Sequence, residues 1–177
     1  WNRGMMTGDK LNMFDWNIEV AMQSGDIGDP SAPNPSIDIS AWVGEGWFAF
    51  NYKAGDTHGR VHIGTLITSG DDPNTLGKDE SFVSYYGDFH AYNRFGDLDW
   101  VDAFGQHNIT DFNIGYEHWF GDRHYVMVAY HNFTATQSAP GVSDKLGDEI
   151  DLTYNFMYSK NLTFQVTAGQ ANPGDGA

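Results

Sequence analysis

The feature that most constrains this chain is a period-two alternation of apolar and polar residues that recurs along its length. In the clearest segment, apolar side chains occupy positions 14, 16, 18, 20 and 22, and polar or small residues fill the positions between them. Such alternation is typical of a β-strand with one apolar face. We interpret seven segments in this way: 14–23, 37–52, 61–69, 111–120, 124–134, 149–156 and 162–169. The pattern predicts an all-β chain.

The second of these segments changes phase in its middle. Ile37, Ile39, Ala41 and Val43 alternate first, and the apolar residues then resume at Phe48 after the run Gly44-Glu45-Gly46. A phase change beside glycines is a common trace of a β-bulge. The sequence therefore predicts a bulge at 44–46.

The connections between the segments alternate between long and short. Residues 54–59, 121–123 and 158–161 form short turns, whereas residues 24–36, 70–108 and 135–147 form long links. In an antiparallel meander every second connection lies at the same end, so one end holds the short turns and the other holds the long loops. This asymmetry is typical of outer-membrane β-barrels.

We therefore predict an antiparallel transmembrane β-barrel of the outer-membrane porin type, with residues 1–177 as part of a single barrel domain and residues 70–108 as its long outer loop. Each apolar run is about ten residues long, which suits a tilted membrane-spanning strand. The location that follows is the outer membrane of a Gram-negative bacterium, with lipid around the apolar face. A soluble sandwich or lipocalin-like barrel also alternates, with its apolar face turned inward, and remains the alternative.

Charge narrows the range of functions. The chain carries 9 basic and 24 acidic residues, for a formal net charge of −15. A nucleic-acid binder needs a basic face, and so does a peripheral protein held on anionic lipid. Cysteine is absent, which removes disulfides and thiolate chemistry. We expect no nucleic-acid partner.

The polar face of the strands is rich in carboxylates and amides. A ring of carboxylates in a pore favours cations and repels anions. The side chains that we predict to line the lumen are Asp15, Asn17, Glu19, Asp111, Asn113, Glu117, Glu149, Asp151 and Asn155. In this interpretation Arg60, Arg123, Lys145 and Lys160 fall in turns or loops and leave the lumen acidic.

Other chemistry is weakly indicated. No nucleophile-elbow motif occurs, and nothing orders a base beside a nucleophile, so we expect no enzymatic activity and no cofactor. The seven histidines lack the spacing of a known metal site. Asp71, Asp72, Asp79 and Glu80 offer oxygen ligands that suit calcium, although their spacing is not that of an EF-hand.

Several short runs, taken in order, resemble a known family. They are Gly64 to Gly70 followed by Asp71-Asp72-Pro73, Lys78 to Phe82, His90-Ala91-Tyr92, Gly96-Asp97, Gln106 to Asp111, Leu146 to Thr153, Asn161-Leu162-Thr163, Gly169-Gln170 and Pro173-Gly174-Asp175. Together they resemble the alginate-export family of bacterial outer-membrane barrels over residues 14–175. The resemblance implies a single-chain barrel of about eighteen strands with a polar lumen and long outer loops folded over it.

The chain has only seven or eight strands, with the end of another strand at Gly4 to Thr7. The resemblance therefore implies that the chain is the C-terminal part of a larger barrel. The alternative is a small eight-stranded barrel that uses residues 1–9 as an extra strand.

Three functions follow from these interpretations. The first is a porin-like channel for passive passage of small solutes or saccharides. Because a polyuronate exporter should present a basic lumen, the acidic face favours cations or neutral solutes over polyanions. The second is a structural or assembly barrel that anchors or encloses another envelope protein. The third is a soluble β-domain that binds ligands or calcium.

Overall fold

The computed structural model describes residues 13–28, 36–83, 98 and 107–176 of the chain. Within them the chain is all-β. The strands are β1 (Phe14–Ile27), β2 (Ile37–Ala54), β3 (Thr57–Thr68), β4 (Lys78–Asp79), β5 (Ile109–Phe120), β6 (His124–Ala135), β7 (Lys145–Ser159) and β8 (Leu162–Pro173). No helix in these residues is long and apolar enough to cross a membrane.

The strands form one sheet in the order β1-β2-β3-β5-β6-β7-β8, and each neighbouring pair is antiparallel. Every strand predicted from alternation is present, which confirms an all-β antiparallel meander. The short turns 55–56, 121–123 and 160–161 all lie at one end of the sheet. At the first of them Gly55 has a φ of 63°, in the left-handed region that glycine adopts without steric cost.

The short strand β4 was not predicted. It lies within the link between β3 and β5, and it pairs parallel with Asp38 and Ile39 of β2. Because β3 begins its pairing with β2 only at Val43, the preceding residues of β2 have a free edge that β4 partly covers. The predicted extra strand at residues 1–9 lies outside the described residues.

The predicted bulge at Gly44-Glu45-Gly46 is wrong. β2 keeps one continuous register with β1, from Phe14 opposite Phe50 to Ile27 opposite Ile37, and its register with β3 is also unbroken. The apolar residues change face because the environment changes along the strand. Ala41 packs in a buried cluster on one face of the sheet, whereas Phe48 and Phe50 are exposed on the other.

The register shifts that do occur lie elsewhere. Between β6 and β7, Phe133 pairs with Gly147 and Thr134 with Lys145, so Leu146 is the extra residue of a bulge. Leu146 is buried in the same cluster as Ala41. Between β7 and β8 a second shift leaves Tyr158 unpaired in the register.

The two faces of the sheet differ in chemistry. On the face that we call the apolar face, the side chains of β1 remain exposed, with Trp16 at 69% and Ile18 at 72% of their full accessible surface. The same holds for Phe112 of β5, Leu152 of β7 and Val166 of β8. A soluble sandwich or lipocalin-like barrel would bury these residues, so the exposed stripes contradict that alternative. The opposite side is called the polar face below.

Candidate functional site

The carboxylates and amides predicted to line a lumen all lie on the polar face. Strand register brings several of them side by side, with His131 opposite Glu149 on one side and Asn113 on the other. Asp151 lies opposite Ala129, two residues further along the same two strands and on the same face. Their shared face follows from the period-two geometry of strands in regular register. That they line a lumen stays a prediction.

Exposure divides these residues into two groups. Asp111, Glu117, Glu149 and Asp151 of β5 and β7 are buried. In β1, Glu19 is exposed, and Asp15 and Asn17 are half-buried. Asn113 and Asn155 are also half-buried. Facing one side of the sheet therefore does not give every carboxylate the same contact with solvent.

A guanidinium lies among the buried carboxylates. Arg60 was predicted to lie in a turn, and this is wrong, because β3 begins at Thr57 and carries Arg60 on the polar face. Its Nη1 donates to Glu117 Oε1 at 3.2 Å, and its guanidinium lies 4.7 Å from the centre of the Trp47 ring. Tyr125 donates its hydroxyl to the other Glu117 oxygen at 2.9 Å.

This arrangement neutralises Glu117 locally. The ion pair is nearly out of solvent, since the two side chains keep 11% and 7% of their accessible surface. A buried carboxylate of this kind needs both a counter-charge and further hydrogen bonds. The Arg60–Glu117 pair therefore joins β3 and β5 on the polar face, and Glu117 contributes little unpaired negative charge to that face. Lys145, also predicted to lie in a loop, is the first residue of β7.

A second buried network surrounds Asp111. His131 Nδ1 lies 3.0 Å from Asp111 Oδ2, and the Asn113 side-chain amide donates to the same oxygen at 2.8 Å. Asp111 has no accessible surface, and no described hydrogen bond reaches its Oδ1. The Asp111–His131 pair is therefore buried, since the two side chains keep 0% and 7% of their accessible surface, and it does not belong to the solvent-facing part of the polar face.

The link after β3 folds back over the polar face. Phe82 is buried against the cluster formed by Ala41, Leu66, Ile109, Phe133 and Leu146, which come from five different strands. Ser69 fixes the start of this link, because its backbone N–H donates to the Trp42 carbonyl and its hydroxyl donates to the Glu80 carbonyl at 2.6 Å. The segment 69–83, called the strap below, is therefore packed against the strands.

Two side chains of the polar face hold the link between β3 and β5 at widely separated strands. In β1, Gln23 accepts from the Val83 N–H at 3.0 Å and donates to the Val83 carbonyl. In β7, Glu149 accepts from the Leu98 N–H at 2.8 Å. Gly169 of β8 allows this second approach, because a Cβ there would lie 2.7 Å from Leu98 Cγ. Leu98 thus helps to keep Glu149 out of solvent.

The four carboxylates suggested for calcium make separate local hydrogen bonds. Asp72 accepts from the Asn74 backbone N–H at 2.9 Å, which lowers the pKa of the Asp72 carboxyl. Asp71 accepts from the Glu80 N–H, Asp79 from the Ser81 N–H and Glu80 from the Thr75 hydroxyl. Across the described ranges, no three potential ligands form a metal-binding group. These bonds stabilise turns in the strap, and a calcium site stays an untested prediction.

Sequence reasoning missed Arg60, Tyr125 and His131 as partners of the carboxylates, and it missed Trp47 as the ring against which Arg60 lies. The signal for Arg60 was present, because it occupies the position before Val61 and continues the polar alternation of β3 backward. Trp47 and Tyr125 carried no such signal, since a large aromatic residue in an alternating segment is ordinarily assigned to the apolar face. Their role depends on which strands become neighbours.

The comparisons with known proteins are clear on family and silent on close relatives. A family model described as alginate export matches residues 3–177. No curated protein matches the chain. The chain therefore belongs to the alginate-export family, an outer-membrane family of transport channels and not of enzymes.

Proposed function

We propose that this member of the alginate-export family forms part of the wall of a passive channel in the outer membrane. Small solutes or saccharides pass along its polar face, and cations and neutral solutes are favoured over polyanions. Lipid surrounds the apolar face.

The observation that carries the proposal is the charge of the polar face. Carboxylates occur there in β1, β2, β5 and β7, and the guanidinium of Arg60 is already paired with Glu117. An excess of fixed negative charge raises the local concentration of cations and disfavours a polyanion. Asp15 and Glu19 are the carboxylates that a passing solute would meet, because the β5 and β7 group is buried.

The strap supports a channel with a narrowed path. Its Phe82 packs on a cluster from β2, β3 and β5–β7, and its Val83 is bound by Gln23 near the end of β1, whereas Glu19 in the middle of β1 stays exposed. Solute passage is therefore expected along the β1–β2 side of the polar face. Because the carboxylates of β1 contact solvent and those of β5 and β7 are buried, substitutions in each group should change ion selectivity to different extents.

The test is conductance of the purified protein in planar bilayers with a potassium chloride gradient. We expect a measurable conductance and a reversal potential of the sign that indicates cation preference. An anion-selective reversal potential would overturn the selectivity. Absence of conductance from protein that floats with lipid vesicles would overturn the channel and favour a barrel that anchors or encloses a partner protein.

A further inference from the structure

Two glycines follow one another on the apolar face of β2. Gly44 and Gly46 point to this face because they alternate with Val43, Glu45 and Trp47, which point to the polar face. Since the register is continuous there, these glycines do not form a bulge. Their effect is to remove two successive side chains from an otherwise bulky surface. The Trp42 ring covers the place beside Gly44, and a groove remains over Gly46.

Side chains of the neighbouring strands form the walls of this groove. Ile18 lies opposite Gly46 on the β1 side, and Thr65 lies opposite it on the β3 side, with Phe112 next in the same row. Phe48 follows on the same face toward the short turns. At the other end, the Trp42 ring lies 3.3 Å from the place where a Gly44 Cβ would be. We call this depression the Gly46 groove, and its volume is about 480 Å³.

The groove is chemically suited to hydrocarbon. Its side-chain walls are aromatic and aliphatic, with Trp16, Ile18 and Ile63 among them. The polar group of Thr65 needs no water, because its hydroxyl donates to the Asp111 carbonyl at 2.9 Å. A charged or strongly hydrated ligand would find no partner on these walls, whereas an apolar chain gains free energy from every part of the surface that it covers.

The size of the groove argues for a small, linear occupant. Ten residues line it. A stable protein–protein interface takes roughly 20–30 residues from each side, so the groove is too small to be the docking site for a second copy of this chain. The groove is also continuous with the exposed apolar face of β1 and β5, which lipid covers if the proposed membrane location holds.

We propose that the Gly46 groove is a binding site for one acyl chain of a membrane lipid. The acyl chain lies along β2 between Ile18 and Phe112, over Gly46. The occupied site completes a smooth apolar surface on this part of the sheet. The inference rests on the membrane location given under the proposed function.

The test uses the full chain in phosphatidylcholine vesicles that contain a lipid with a photoactivatable diazirine on its acyl chain. After irradiation, adducts are mapped by peptide mass spectrometry. We expect adducts on Trp16, Phe48 and Phe112 to exceed those on Leu152 and Val166 of the same face several-fold. The latter pair reports ordinary contact with bulk lipid.

Filling the groove provides the matched comparison. Gly46→Leu adds a side chain where a Cβ meets its nearest atom, the Asn17 carbonyl oxygen, at an ordinary 3.6 Å. It should reduce the groove adducts to the level seen at Leu152. Ala168→Leu adds the same bulk to the apolar face of β8, opposite Leu152, and should leave the groove adducts unchanged. Gly46→Ala gives an intermediate reduction and guards against misfolding of the larger variant.

Each other outcome identifies a different failure. Equal adducts at the groove and at Leu152 would overturn the acyl-chain site and leave the membrane location intact. Loss of all adducts from folded protein would overturn both. In a parallel sample treated with a bifunctional diazirine crosslinker in place of the photoactivatable lipid, protein–protein crosslinks centred on Trp16 that disappear in Gly46→Leu would replace the lipid by a second copy of the chain.

Discussion

The carboxylates of β1 and those of β5 and β7 project from the same face of one sheet, yet their surroundings differ. Glu19 is exposed and Asp15 is half-buried, whereas Asp111 and Glu149 retain 0% and 1% of their accessible surface. The difference arises from cross-strand partners such as Arg60 and from the link between β3 and β5. A strand pattern tells which face a charge belongs to, but the charge acts on solutes only where neighbouring side chains leave it uncovered.

The largest expected effect comes from the buried group. Glu117→Gln leaves the Arg60 guanidinium without its counter-charge in a nearly dry site, and such losses destabilise proteins by about 3–5 kcal/mol. Urea unfolding followed by tryptophan fluorescence measures the change. Glu19→Gln is the matched control in the exposed group, and it should alter stability by no more than about 0.5 kcal/mol. Similar losses in both variants would remove the distinction between the groups.

The next largest effect is expected from loosening the strap. Phe82→Ala removes the buried ring that packs the strap against the strands. It should weaken the packing of the strap on the sheet by about 2 kcal/mol. A detached strap widens the path in front of β5–β7, so single-channel conductance should rise. Leu76→Ala changes a residue of the same segment that is 95% exposed, and it should leave conductance unchanged. An unchanged conductance for Phe82→Ala would mean that the strap does not narrow the path.

A smaller effect on stability is expected where Gln23 of β1 binds the backbone of Val83 in the strap. Gln23→Ala removes two hydrogen bonds to the Val83 backbone, with a net cost of about 1 kcal/mol. The Val83 amide should exchange with solvent about fivefold faster, as measured by native-state hydrogen exchange. For comparison, Gln165→Ala alters a glutamine whose amide donates to Thr167 within β8 and should not change Val83 exchange. If both variants behave alike, Gln23 does not hold the strap.

The smallest energies decide selectivity. Replacing the half-buried Asp15 and the exposed Glu19 together by Asn and Gln removes charges whose interaction with a passing cation is about 1 kcal/mol or less. The reversal potential in a salt gradient should move toward zero. Asp111→Asn changes a carboxyl that is buried and bound to His131, so it should shift the reversal potential less. The reverse ranking would show that buried charge, not solvent contact, sets the preference.

The elements of the fold were predictable because their signal is local. The alternation from Phe14 to Met22 depends only on the period of a strand, and the exposed side chains of β1 match it. The sequence does not state what covers a face. Ala41 and Val43 lie on the polar face by strand parity, and the apolar side chains that cover them there, Phe82, Ile109 and Leu146, come from distant parts of the chain.

In the candidate site, too, the local features could be predicted from the sequence and the long-range contacts could not. The face of each acidic residue followed from strand parity, and all of them lie where parity places them. The Arg60–Glu117 pair required the register between β3 and β5, which are separated by the long link. The buried state of Glu149 required the position of Leu98. Long-range pairing of this kind leaves no period in the sequence.

The pairing of β4 with β2 has a consequence for how this chain behaves among other chains. β3 does not reach residues 37–42 of β2, so without the strap these residues would present unpaired backbone groups. Open strand edges of this kind recruit further strands. The Asp38 N–H donates to the Gly77 carbonyl, and the Trp42 N–H donates to the Ser69 hydroxyl. These contacts occupy donors that a foreign strand would otherwise bind. The strap therefore also shields this edge of β2 from pairing with a strand of another chain.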